Sequence, residues 1–171
     1  MSEASTRRTV LAGAGAGVLA VAALTPAALA QRERSDVEII EELLALEHRL
    51  EAGYAAALRR DAIAAELGEL LRGQEREHIR ALEQVLREIG GRSPRATVPP
   101  PELGSALRSR DAFARFALEL EGQAISAYVK AAGGIARPGL RRPLGSIMAC
   151  EAAHEVALRS AAGLPLLAPP R

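Results

Sequence analysis

At 171 residues the chain is long enough for one domain with a sizeable core. Hydrophobic residues make up 49% of it and aromatics only 2%, an Ala- and Leu-rich balance that favours helices and argues against a β-sandwich. The 22 basic and 21 acidic residues leave a formal net charge of +1 with no basic cluster, which argues against nucleic acid as a partner, and the single Cys150 excludes an intrachain disulfide framework.

The first thirty residues read as an address. Arg7-Arg8 stand in Ser5-Thr6-Arg7-Arg8-Thr9-Val10-Leu11, and a weakly apolar Gly/Ala/Val/Leu run follows. That run ends in Ala28-Leu29-Ala30, a small-residue cleavage pattern ahead of the charged Gln31-Arg32-Glu33-Arg34. The segment resembles a twin-arginine export signal over residues 1–30, leaving 31–171 as the mature domain. An ordinary secretory signal with a chance arginine pair is one alternative, and an uncleaved anchor is another, since the run is nearly long enough to span. No Cys borders the cleavage site, so a lipid anchor has no support. The expected destination is the periplasm, cell envelope or extracellular space, with no membrane attachment after cleavage.

Ser35-Asp36-Val37-Glu38 has the form of a capping box and predicts the start of a first helix running to about Arg59. Ile40, Leu43, Leu50 and Ala57 recur on its stripe, and Glu47 and Tyr54 share that stripe. Asp61 is the expected cap of a second helix with Leu67, Leu71, Glu75, His78, Leu82, Val85 and Ile89 in line, stopped by Gly90-Gly91. Between Gly90 and Arg108 the chain carries Ser93-Pro94 and Pro99-Pro100-Pro101 without a sustained period, which predicts a long crossover. A third helix is expected from about Ser109 to Ala132, aligning Phe113, Ala117, Glu121, Ala124 and Tyr128, with Gly133-Gly134 ending it. A fourth, from about Pro143 to Ala162, aligns Leu144, Ile147, Glu151, His154, Leu158 and Ala161, and the tail after Gly163 is expected to be irregular. The reading is an all-α four-helix bundle: short turn, long crossover between helices 2 and 3, short turn.

The chain also repeats itself. Glu47 and Tyr54 are seven residues apart, as are Glu121 and Tyr128, which is two helical turns and one face. Glu75 and His78 are three apart, as are Glu151 and His154, so each pair adjoins along its helix. Four glutamates and two histidines therefore lie on apolar stripes, where unpaired charge is strongly unfavourable and like charges repel. Two divalent cations would balance the four carboxylates, with the imidazoles as neutral ligands. A carboxylate-rich set without thiolate suits iron or manganese better than structural zinc. The competing reading is a bundle in which these groups form buried salt bridges. His48 and Glu51 lie beside Glu47 but off the pattern; Glu77 and Glu119 are expected to face water, and Cys150 to be a small packed residue.

These residues resemble the ferritin-like di-iron carboxylate superfamily, whose bundle places one Glu on each of two helices and Glu-x-x-His on each of the other two. By that resemblance Glu75 and Glu151 bridge two metals, Glu47 and His78 complete one, and Glu121 and His154 complete the other. It also implies that Tyr54 and Tyr128 hydrogen-bond ligand carboxylates. The implied function is redox chemistry: Fe²⁺ oxidation, peroxide reduction or manganese-type catalase activity, with O₂, peroxide or Fe²⁺ as the small-molecule partner. The family hosts all of these on one scaffold. No Cys₄ cluster follows the bundle, which excludes the rubredoxin-tailed peroxidase type. Pairing into a homodimer is expected by analogy. Against an enzyme stand two other classes: an exported helical bundle for binding or envelope maintenance, and a metal-binding module without turnover.

Overall fold

A computed structural model of the chain describes residues 26–93 and 100–166, and side chains from residue 36 onward. Helix α1 spans Pro26–Arg59, α2 Ala65–Glu88, the single turn α3 Leu103–Ala106, α4 Arg110–Gly134 and α5 Arg141–Ala161, with a 3₁₀ turn at Pro138–Leu140 before α5. Among the described residues there is no strand. Helices α1 and α2 form one hairpin, α4 and α5 the other, and the hairpins meet chiefly through α1 and α4.

Two helix starts differ from expectation. Helix α1 runs straight through Ser35 and through the predicted boundary between Ala30 and Gln31. Ala27 to Arg34 are helix formers with no breaker among them, so the turn at Ser35 has nothing to cap. Asp36 instead faces inward, fully buried, and accepts hydrogen bonds from the backbone N–H groups of Ala136 (2.7 Å) and Arg137 (3.1 Å) just beyond α4. Asp61 likewise closes the helix before it rather than opening the one after. It has φ +52°, and the bonds Ala62 N to Ala57 O (2.9 Å) and Asp61 N to Leu58 O (3.3 Å) form the paired closure of a left-handed C-terminal residue. Aspartate is among the few non-glycine residues that tolerate this conformation. Helix α2 then starts behind Ala64, which makes no side-chain cap.

The other ends follow local chemistry. Gly90 ends α2 at φ +83° with the same pair of bonds, Gly91 N to Leu86 O and Gly90 N to Arg87 O. Ser109 caps α4 through a bond from Ala112 N. Helix α4 continues through Gly133 and Gly134, and the buried Ile135 follows. After α2, Gly91 lies against Val37, while Leu103 on α3 packs with Tyr54 and Phe113, so the crossover travels the length of the bundle. The described part of the tail, 162–166, is non-helical, and Ala161 is exposed on the last turn of α5. The apolar run up to residue 25 lies outside the described residues; within them no helix is long and apolar enough to cross a membrane.

The core is two apolar clusters separated by a charged layer. One gathers Leu50, Tyr54, Leu71, Phe113, Ala117 and Leu158, with Tyr54 and Phe113 edge to face at 6.0 Å. The other gathers Ile40, Leu43, Leu82, Leu86, Tyr128 and Leu144. Burying each Leu or Ile contributes roughly 1.5–3 kcal/mol. Those contributions must offset the carboxylates that lie between the clusters.

Candidate metal centre

Helix α1 carries Glu47 into the charged layer, α4 carries Glu121, α2 carries Glu75 and His78, and α5 carries Glu151 and His154. All four glutamates are 0% exposed, His154 is 2% exposed and His78 is 7% exposed. Each reaches the axis because it occupies a position on the same 3.6-residue stripe as its apolar neighbours.

The six side chains form two overlapping groups. Glu47, Glu75, His78 and Glu151 offer ligand-capable atoms all within 4.8 Å of one another, and so do Glu75, Glu121, Glu151 and His154. Glu75 and Glu151 belong to both. His78 Nδ1 stands 2.7 Å from Glu151 Oε1, 3.3 Å from Glu47 Oε2 and 3.4 Å from Glu75 Oε2. His154 Nδ1 stands 3.1 Å from both Glu75 Oε1 and Glu151 Oε2, and 3.5 Å from Glu121 Oε1. The imidazole rings stack with centroids 5.8 Å apart. Sequence spacing therefore named six residues that the structure brings to one place.

The tyrosines are tied in across the bundle. Tyr54 on α1 donates to Glu121 Oε1 on α4, and Tyr128 on α4 donates to Glu47 Oε1 on α1. Burial, reinforced by the adjoining carboxylates, pushes both phenols upward, so they stay neutral donors. Each ring belongs to a different apolar cluster, and each hydroxyl enters the charged layer from its own side.

Protons take up part of the charge. Burial pushes the Glu47 carboxyl upward and Glu121 up to about 8. Burial acts on Glu151 in the same sense, but the adjoining imidazoles of His154 and His78 outweigh it and bring Glu151 down to about 2. Burial opposes charging the imidazoles. Even so, Glu121, Glu151 and Glu75 push His154 up to about 12, and Glu151, Glu47 and Glu75 raise His78 too. Protonation does not satisfy every atom. Glu47 Oε2, both oxygens of Glu75, Glu121 Oε2, Glu151 Oε1 and His78 Nδ1 are buried without a well-directed hydrogen bond. Such atoms are costly unless something completes their bonding.

Some residues fall elsewhere. Glu51 pairs with Arg72 at 2.9 Å, Glu77 pairs with Arg80 at the surface, Glu119 is exposed, and His48 is half-buried outside the cluster. The sequence reading missed Gln74, whose Oε1 lies 2.9 Å from His154 Nε2. Cys150, expected to be only packing, places Sγ 3.4 Å from the same nitrogen. Aligning the two copies of the repeat was the available signal: Gln74 and Cys150 each precede the Glu of Glu-x-x-His.

Four long helices with a lengthwise crossover and a buried layer of four glutamates and two histidines define a ferritin-like bundle. A family model described as "Ferritin-like domain" matches residues 35–164, and the chain belongs to that family. Comparison with curated proteins returns no match.

Proposed function

We propose that the chain is an exported ferritin-like protein whose six buried residues hold two divalent cations, iron first and manganese second. The observation that carries this is the pair of overlapping groups sharing Glu75 and Glu151, whose orphaned oxygens and imidazole nitrogen supply hard O and N donors without thiolate. Two divalent ions balance the four carboxylates, so neither half needs protons to remain buried. Glu47 and His78 would serve one ion, Glu121 and His154 the other, and Glu75 and Glu151 both.

Two such ions supply a two-electron exchange with O₂ or peroxide, or accept Fe²⁺ as the species to be oxidised. The chain's own groups prepare for that. Tyr54 and Tyr128 keep Glu121 and Glu47 turned inward, while the apolar clusters above and below exclude bulk water. The export reading rests on Arg7-Arg8 and the run after them, and a route for folded proteins suits a centre loaded before transport.

Metal analysis of natively exported protein tests the proposal, with about two equivalents of iron or manganese per chain expected. Stopped-flow mixing with Fe²⁺ and O₂, then with peroxide, follows. Absorbance transients or peroxide loss support turnover; their absence in a loaded protein leaves binding as the role. Less than one equivalent for every two chains favours the metal-free bundle instead.

A further inference from the structure

The two copies of the repeat align Gln74-Glu75-x-x-His78 with Cys150-Glu151-x-x-His154, sharing the Glu and the His and differing at the position before the Glu. In a centre with such two-fold correspondence, what Gln74 does for His154, residue 150 should do for His78. The structure shows the first of these contacts and lacks the second. Gln74 reaches from α2 to α5 and places Oε1 2.9 Å from His154 Nε2. Cys150 has only Sγ beyond its Cβ, and that atom stays against its own helix, 3.4 Å from His154 Nε2. Among the described residues none hydrogen-bonds His78 Nε2, and that nitrogen is not among the fully buried unpartnered atoms.

The imbalance acts on the nitrogens that face the carboxylates. When Nδ1 of a histidine bonds a cation, the ring proton sits on Nε2 and needs an acceptor. Where an acceptor stands ready, it fixes the ring and its tautomer and makes the ligating nitrogen more basic. His154 has polar partners at both ring nitrogens. His78 has carboxylates beside Nδ1 alone and is the more exposed of the two, 7% against 2%.

Resting on the two-cation reading above, we infer that Gln74 is a positioning residue that makes the two halves unequal. A divalent cation fills the Glu75–Glu121–Glu151–His154 half first, and the Glu47–Glu75–Glu151–His78 half fills second and empties first. The difference comes from one pair of corresponding positions, Gln74 and Cys150, and not from the ligands, which are the same on both sides.

The test is titration of the chelated full chain with Co²⁺, following heat and the visible spectrum of the bound ion. Two steps are expected, with His154→Ala removing the tighter and His78→Ala the weaker. Gln74→Leu should weaken the tighter step by about 10–100-fold, the range for a lost outer partner, and alter the weaker step far less. Gln74→Glu, which keeps an acceptor, should restore the tighter step. Metal-free Gln74→Leu should still melt in one cooperative transition and retain the weaker step, so that loss confined to the tighter step separates positioning from a general structural role. Cys150→Gln tests the same idea without touching Gln74: it gives residue 150 the reach to meet His78 Nε2 and should tighten the weaker step. Equal steps in the wild type, a Gln74→Leu effect on both steps or on neither, or an unchanged weaker step in Cys150→Gln overturns the inference and leaves two-cation binding standing. Failure of the wild type to take up two ions overturns both.

Discussion

Tyr54 and Glu121 sit 67 positions apart in the chain and meet through one hydrogen bond inside the bundle, from the phenol of α1 to the carboxylate of α4. Tyr128 and Glu47 repeat the contact in the opposite direction. The hairpins are thus joined by two equivalent bonds flanking the charged layer, and each bond leaves the second oxygen of its carboxylate buried without a hydrogen bond.

Tyr54→Phe keeps the ring in its apolar cluster and strands Glu121 Oε1. Leaving a buried acceptor unpaired costs about 1–3 kcal/mol, so the chelated variant should melt several degrees lower. Tyr128→Phe should do the same through Glu47. Denaturant unfolding of the two variants and wild type checks this; two variants as stable as wild type would show that the hydroxyls contribute nothing.

Glu151→Ala removes a carboxylate common to both groups and should reduce bound metal far more than Glu155→Ala. Glu155 pairs with Arg159 at 2.8 Å toward the surface, where such pairs contribute about 0–1 kcal/mol. Metal-to-protein ratios after dialysis give the comparison. Equal ratios in the two variants count against the centre.

The stability of the chelated protein should depend on pH through the buried carboxylates and imidazoles. Without metal, Glu121 rises from 4.5 to about 8 and His154 from 6.5 to about 12. A folded-state value above the unfolded one stabilises the fold fully below the unfolded value, and that stability is lost as pH rises through the folded value. Glu151 runs the other way: lowered from 4.5 to about 2, its contribution is present above 4.5 and lost as pH falls toward 2. Chelated protein should therefore lose melting temperature from about pH 4.5 to about pH 8 as Glu121 ionises, and on toward about pH 12 as His154 loses its proton, while cation affinity rises as protons leave. Thermal melts across that window, with and without chelator, measure both. A flat or rising curve for the chelated protein contradicts a proton-sharing cluster.

Asp36→Ala deletes the acceptor that holds Ala136 N and Arg137 N beside the start of the described core of α1. Loss of bonds to a charged acceptor should cost about 1–3 kcal/mol, with Asp36→Asn intermediate. Faster amide exchange at residues 136 and 137 locates the effect; exchange unchanged there would detach Asp36 from that turn.

Replacing Arg7 and Arg8 together with Lys keeps the charge of the first thirty residues and removes the guanidinium pair on which the proposed twin-arginine export rests. Export should fall sharply, with the protein retained inside the cell. Undiminished export of the double variant points to the ordinary secretory route.

What the sequence determined by itself was everything that one helix encodes: the four long helices, their buried faces, the Gly90 stop, and the two Glu-x-x-His steps that fall on apolar stripes. Those depend on spacings of three, four and seven residues, which recur in any helix whatever it packs against. The helix starts at Ser35 and Asp61 that the sequence suggests do not form, because small polar residues suit either end of a helix and the choice depends on what the backbone beside them needs. Only the tertiary structure decided which residue faces which across the bundle: Tyr54 with Glu121, Gln74 with His154, Asp36 with the turn after Gly134. Such pairings follow the relative shift and rotation of separate helices, set by how whole apolar faces interlock, and no spacing within a single helix records that.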